Sequence, residues 1–287
     1  MNQIIDNIKL LRFPFSVFLL PITLMSLVFI QPVFGVNLIL VVVIWHVLVY
    51  PSSNGYNSYH DQDTGPIGAL ENPPPATRSL LTISNCMDIT AIGLSFLINW
   101  KFALLVGLYI LSSRAYSNRK VRLKKYPVIG FLVVFVFQGI WIFCSNVVGL
   151  SSMELFNSKG IIPYALASSF FIATIYPLTQ IYQHEADKKD NVKTLSMLLG
   201  IKGTFLLSGF MFFCASTLLF ISNYQVHKIY QFWLFLVVLA PSTLYFLFWM
   251  IKSLKDLREV NFKNTMKMLI LSSILTNLYF IIILINP

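Results

Sequence analysis

Apolar runs recur along the chain at about 13–30, 36–53, 79–98, 101–116, 127–147, 161–183, 203–222, 229–251 and 267–285. A helix that crosses the hydrocarbon core of a bilayer takes about 20 mostly apolar residues, and these runs are near that length. The spacers are of two kinds, and the kinds alternate. Those at 31–35 and 99–100 are brief, whereas those at 54–78, 117–126, 184–202 and 252–266 are long and charged. The pattern predicts an all-α integral membrane bundle of about nine transmembrane helices, forming one domain over residues 1–287. The first run is longer than the apolar core of a signal peptide and no A-x-A-like site follows it, so it is expected to be a retained span.

Charge placement orients the bundle. With the amino terminus cytoplasmic, eighteen of the 21 Lys and Arg residues fall on cytoplasmic segments. Only Lys101, Lys159 and Lys228 fall outside. Cytoplasmic loops of membrane proteins carry this excess of basic residues, and a helix miscounted mid-chain would scramble the split. The net charge of +10 is thereby explained by basic loops facing an anionic leaflet. No soluble basic face is left for nucleic acid, so no nucleic-acid partner is expected.

Composition agrees. Hydrophobic residues make up 56% of the 287 and charged ones 11%, less than half the usual share of a soluble domain. Cys86, Cys144 and Cys214 each sit in an apolar run, without C-x-x-C or zinc spacing. They are expected to be small buried hydrophobes.

The acidic residues carry the chemistry. Of 11, five sit in two short segments. N-G-Y-N-S-Y-H-D-Q-D-T-G (54–65) follows the second run, and Q-I-Y-Q-H-E-A-D-K-K-D (180–190) closes the sixth. The topology puts both on the cytoplasmic side. If the helices continue, Asn57 and Asp61 share a face, and so do Gln183 and Asp187. Glu185 and Asp187 lie about 200° apart around a helix, so both face inward only where the helix end unwinds. Oxygen ligands of this kind suit Mg²⁺, which binds through one or two carboxylates, waters and substrate phosphates. The candidate metal set is Asn57, Asp61, Asp63, Gln183, Glu185, Asp187 and Asp190, with Asp61 and Asp187 as the catalytic pair. A third segment holds Tyr116, Arg119, Lys120, Arg122 and Lys124. With metal ions, such cations would clamp a diphosphate by charge-assisted hydrogen bonds.

Taken together, these residues resemble the UbiA superfamily of intramembrane prenyltransferases. The likeness rests on N-x-x-x-D after the second run, Tyr and basic residues after the fourth, and D-K-K-D-N-V-K-T-L-S-M-L-L-G (187–200) after the sixth. The family's first motif is commonly N-D-x-x-D-x-x-x-D; Ser58 and Gly65 depart from it, with Asp63 two residues before Gly65. Gln183 stands where the second motif commonly has Asp, with Glu185 and Asp190 nearby.

The resemblance implies a Mg²⁺-dependent transfer of a prenyl group from a polyprenyl diphosphate to a lipophilic or aromatic acceptor in the bilayer. The site would face the cytoplasm, in a cell (inner) membrane. Tyr116, Lys120, Arg122, Lys124, Lys188 and Lys193 would then bind the diphosphate. A terpene cyclase on the same scaffold would ionise the same donor without an acceptor. A small-solute transporter would instead place polar residues and broken helices at mid-bilayer, unlike the one-sided clusters here. Asp88 lies inside the third run and is either a functional intramembrane acid or one hydrogen-bonded to the nearby Ser84 or Asn85. His46 is expected to be a hydrogen-bonded core residue and His60 a loop residue. Segment 54–78, with its N-P-P-P stretch, is a candidate lid.

Overall fold

A computed structural model describes residues 2–286, and every predicted run is helical in it. The chain opens with α1 (Asn2–Leu11), then Arg12 in left-handed conformation (φ 50°), a 3₁₀ turn at Phe13–Phe18, and α2 (Leu20–Ile30). The axis bends by 43° between the two parts. α3 (Val36–Asp61) continues past its apolar run. It widens to a π turn over Val43–Val49, just before Pro51. Proline lacks an N–H and its ring conflicts with the carbonyl four residues back, and the wider turn accommodates both.

α4 (Arg78–Phe96), α5 (Trp100–Ser117) and α6 (Pro127–Leu150) follow. α6 has its own π turn at Val136–Ile140. There Gly139 packs against α7 (Ile161–Gln180) so closely that a Cβ on it would lie 2.3 Å from Ser169 Cα. The Ile140 N–H donates to Ser169 Oγ at 2.9 Å. The short α8 (His184–Lys189) leads to α9 (Leu195–Gln225), broken at Gly200 (φ 69°). α10 (Ile229–Lys255) and α11 (Phe262–Ile285) complete the bundle.

Among the described residues, seven helices are long and apolar enough to cross a membrane: α3, α4, α6, α7, α9, α10 and α11. The bent α1–α2 pair would be an eighth. α5 forms where the fourth run predicts a helix, but Lys101 and Arg114 near its ends leave it less apolar. The surface is that of a membrane protein. Leu111, Phe213 and Val237 are among many large apolar side chains pointing outward, while Ser, Thr and Asn line the helix contacts. Inside, Trp45 Nε1 donates to Asn146 Oδ1 at 2.9 Å and Asn146 Nδ2 donates to Ser26 Oγ at 2.8 Å. In lipid, small and polar side chains at the contacts supply the packing and hydrogen bonds that hold helices together. The chain is thus a multi-pass integral membrane protein.

His46 is buried, 2.9 Å from Thr23 Oγ1 and 3.2 Å from the Ser16 carbonyl, a core role as expected. His60 belongs to the last turn of α3 rather than to a loop, because the helix runs on to Asp61. Cys86 is exposed rather than buried; it sits on the outward side of α4, and Cys144 and Cys214 are half-buried. Asp88 is buried between Ser52 Oγ, which donates to it, and Arg114, whose Nε donates at 2.8 Å. The Arg114 guanidinium also lies 3.8 Å over the Tyr56 ring.

Candidate active site

One cavity of about 370 Å³ runs from the α3 and α8 ends into the bundle. Its mouth is polar and charged, and its depth is lined by apolar side chains such as Ile22, Val134, Phe171, Phe212 and Leu239. Continuation of α3 as a helix brings Asn57 and Asp61, one turn apart, to the same wall. Asn57 Nδ2 donates to Ser117 Oγ on α5 at 3.1 Å. Asp63, just beyond the helix, lines the mouth as well. From the other side come Gln183, Asp187 and Asp190. Carboxylates of two distant segments therefore share one cavity.

The cations stand among them. Lys124 Nζ pairs with Asp61 Oδ2, and the Lys124 side chain is only 12% exposed. Arg122 Nη2 lies 3.8 Å from Asp61 Oδ1 and pairs with Asp190, whose backbone carbonyl accepts from Arg122 Nη1 at 3.2 Å. Arg119 reaches Asp190 Oδ1 at 3.3 Å and the Asp61 carbonyl at 3.3 Å. Burial pushes the Asp187 carboxyl up to about 7, and Asp61, Asp63 and Asp190 add to the rise against the pull of Lys124. Burial likewise raises Asp63 to about 6, helped by Asp61. The carboxylates that raise Asp63 and Asp187 are thus within electrostatic reach of a guest shared with them.

Some expected residues lie elsewhere. Glu185 is exposed and outside the cavity: α8 stays helical, so with Asp187 turned inward Glu185 points away. Lys120, Lys188 and Lys193 are exposed and do not line the cavity. The loops carrying Lys120 and Lys193, and the outer side of α8 carrying Lys188, leave these ammonium groups exposed. Arg122 is buried behind the mouth, against Asp190, rather than lining it. Tyr116 lines the cavity, and its hydroxyl meets that of Tyr176 at 2.6 Å.

Arg12, at the α1–α2 bend, is a wall residue that sequence reasoning assigned only to topology. It is buried, its Nη2 donates to the Asn54 carbonyl at 3.3 Å, and its Nε has no partner. The available signal was a lone Arg directly before an apolar run opening Phe-Pro-Phe. Segment 62–77 covers the mouth. Gly65, Pro66, Ile67 and Gly68 line the cavity, and Gln183 Nε2 holds the Pro66 carbonyl at 3.2 Å.

The donors fit a divalent ion that shares its coordination with a ligand. Asp61 Oδ1 is buried without a hydrogen-bond partner and faces a cavity that holds three further carboxylates. Among the described residues, no three His, Cys, Asp or Glu side chains come close enough to hold an ion by themselves. Mg²⁺ is commonly bound by one or two carboxylates with waters and phosphate oxygens making up the octahedron. Asn57, Asp61, Asp63 and Asp187 are the residues that could take part.

The model of the UbiA prenyltransferase family matches residues 19–272, most of the chain. The chain belongs to the UbiA prenyltransferase family. Its members are transferases of prenyl groups, and this UbiA chain has their all-helical membrane fold. No curated protein sequence matches it significantly. Solved structures share the fold at low identity. A UbiA homologue from Aeropyrum pernix K1 in apo form superposes with TM-score 0.69 at 19% identity, covering 94% of this chain and 98% of that one. A UbiA homologue from Archaeoglobus fulgidus bound to GPP and Mg²⁺ gives TM-score 0.66 at 18% identity, over 97% and 99%. A digeranylgeranylglyceryl phosphate synthase gives TM-score 0.63 at 19% identity, over 99% and 98%.

Proposed function

We propose that this UbiA protein transfers a prenyl group from a prenyl diphosphate to a lipophilic acceptor within the membrane, with Mg²⁺ as cofactor. The observation that carries the reading is a single cavity with paired acids and cations at its mouth and apolar walls behind. The GPP- and Mg²⁺-bound homologue supports the choice of donor and metal. We further take the whole chain as one domain and the mouth as cytoplasmic, on the strength of the basic-residue split.

The residues divide the work. Lys124 and Arg12 bring positive charge to the diphosphate. Asn57, Asp61, Asp63 and Asp187 would hold Mg²⁺, which would neutralise the diphosphate and make it a better leaving group. The apolar depth takes the prenyl chain and keeps water from the allylic carbon as its C–O bond breaks. The electron pair leaves with the diphosphate, the acceptor attacks that carbon, and the acceptor's proton is lost. The aromatic side chains of Tyr116, Tyr176 and Phe171 line the cavity and would stabilise developing positive charge.

The test uses purified protein in nanodiscs with radiolabelled prenyl diphosphates, with and without Mg²⁺. Mg²⁺-dependent binding and acceptor-dependent label transfer are expected. Absence of Mg²⁺-dependent binding for every donor refutes the reading. Consumption of donor to a cyclic product without acceptor would convert it to the cyclase.

A further inference from the structure

Asn57, Asp61 and Lys124 meet at the mouth, and the side chains that set their directions lie behind it. Ser53, Asn57 and Asp61, spaced one helical turn apart on α3, form a stripe that lines the cavity. Ser52, Tyr56 and His60 form the next stripe, about 100° around the helix, and stay outside the cavity lining. The neighbouring helices hold this second stripe. Ser52 Oγ donates to Asp88 on α4, and the Arg114 guanidinium of α5 lies over the Tyr56 ring, with Cζ 3.8 Å from the centroid. His60 packs on Tyr56 with ring centroids 4.3 Å apart.

Tyr56 is held at its tip as well. Asn118, one turn after Arg114, donates through Nδ2 to the Tyr56 hydroxyl at 2.8 Å. The rest of Asn118 builds the turn that delivers Lys124. Its Oδ1 accepts from the Lys120 N–H at 2.9 Å, and its carbonyl accepts from the Arg122 N–H at 2.7 Å. One tyrosine therefore joins the α3 wall to the basic turn, and Lys124 closes the circuit by pairing with Asp61.

Arg114 fixes that tyrosine. Its Nε donates to Asp88 Oδ2 at 2.8 Å, and its Nη2 pairs with the same oxygen. A guanidinium is planar, so two bonds along one edge also settle where its face lies, and here the face lies on Tyr56. A lysine ammonium has no plane to settle. The placement does not serve Arg114's own hydrogen bonding, since Nη1 is buried without a partner. Nor does it bring charge to the ligand, because neither Arg114 nor Asp88 lines the cavity. What the pair does is hold the back of the wall in one rotation.

Resting on the reading of the mouth as a Mg²⁺–diphosphate site, we infer that Arg114 is a positioning residue. Oriented by Asp88, it sets through Tyr56 the rotation of the α3 end and the seat of the 118–124 turn. It thereby aims Asn57, Asp61 and Lys124 at donor and metal without touching either.

The experiment uses Arg114→Lys, Asp88→Ala combined with Arg114→Met, and Tyr56→Phe. Asn146→Ala is the control for lost stability: it breaks a buried hydrogen-bonded link to Trp45 and Ser26, about 28 Å further along α6 than Pro127. Each protein is placed in nanodiscs and its thermal midpoint taken. Non-hydrolysable diphosphates of ten and twenty carbons are then titrated calorimetrically over a series of Mg²⁺ concentrations. Arg114→Lys keeps the charge beside Asp88 but loses the plane, and the double variant removes both charges so that none is stranded. In both, the donor Kd and the Mg²⁺ half-saturation should rise by about tenfold, as when a side chain supporting a metal ligand is lost. Tyr56→Phe keeps the ring and loses the Asn118 bond, so it should fall between these and wild type. Asn146→Ala should leave both constants unchanged however far its midpoint drops, because unfolding lowers the amount of binding protein and not the affinity of the rest. Unchanged constants in Arg114→Lys overturn the inference, even where the double variant fails to fold. An equal rise in Asn146→Ala overturns it too, by showing that any loss of stability has the same effect. Wild type binding with Mg²⁺ beside an unaffected Arg114→Lys sinks this inference alone. A wild type that binds neither diphosphate with Mg²⁺ sinks the functional reading, and this inference with it.

Discussion

Asp61→Asn removes one charge and keeps the side chain's shape, so its cost reports on chemistry more than on packing. The Asp61 side chain is 6% exposed. One oxygen is held by Lys124 and the other is buried with no hydrogen-bond partner, open to an ion. Asp190 differs: it is 31% exposed and already engaged by Arg119 and Arg122. Water can replace a carboxylate in that position. Losing a metal-bridging carboxylate removes several kcal/mol of leaving-group stabilisation, and about 4 kcal/mol corresponds to roughly a thousandfold in rate. Asp61→Asn should fall at least that far, Asp187→Asn should follow it, and Asp63→Asn and Asp190→Asn should lose about tenfold. The assay is prenyl-transfer turnover at matched expression, with Mg²⁺ titrated for each variant. Asp61→Asn within tenfold of wild type, or an inactive Asp63→Asn beside an active Asp61→Asn, would refute the assignment.

Lys124→Ala should weaken donor binding by about tenfold or more, because a charge-assisted contact contributes about 1.5–3 kcal/mol; Arg122→Ala, behind the mouth, should weaken it less, and calorimetric titration of a non-hydrolysable donor distinguishes the two. Asp187 and Asp63 are raised to about 7 and 6, so both hold protons at low pH that Mg²⁺ must displace. Mg²⁺ affinity in the presence of donor should therefore rise from pH 6 to 8 and level off above, with proton release seen as a dependence of the heat on buffer; flat affinity over that range would contradict it. Asp88→Ala leaves the half-buried Arg114 guanidinium unpaired and should destabilise the fold by about 3 kcal/mol, whereas Asp88→Ala with Arg114→Met should recover most of it, measured by thermal unfolding in detergent.

The helices were legible because the bilayer imposes one length and one composition on them, and the nine runs stand out without reference to packing. Convergence of the two acidic segments was legible too, since topology put both helix ends on one side. What the sequence did not carry was the direction of individual side chains. Glu185 and Asp187 are two residues apart, and only the turn between α7 and α8 decides which faces inward. Lys120 and Lys188 share the composition of Lys124, yet Lys124 alone is carried into the mouth, by the turn at Arg122 (φ 48°) and the short 3₁₀ segment after it. Arg12 looked like one more basic residue beside a span. Its burial depends on the left-handed bend that joins α1 to α2, a backbone choice that hydropathy does not register.

The pairing of Lys124 with Asp61 reaches beyond charge neutrality. A diphosphate that draws Lys124 away leaves Asp61 free for a cation, and a cation that takes Asp61 leaves Lys124 free for a phosphate. Each ligand thus removes the competitor of the other, and the coupling is reciprocal: whatever factor Mg²⁺ contributes to donor affinity, the donor contributes to Mg²⁺ affinity. On the proposed reading the pair would act as a two-key lock, in which either ligand alone meets an occupied partner and the two together meet none.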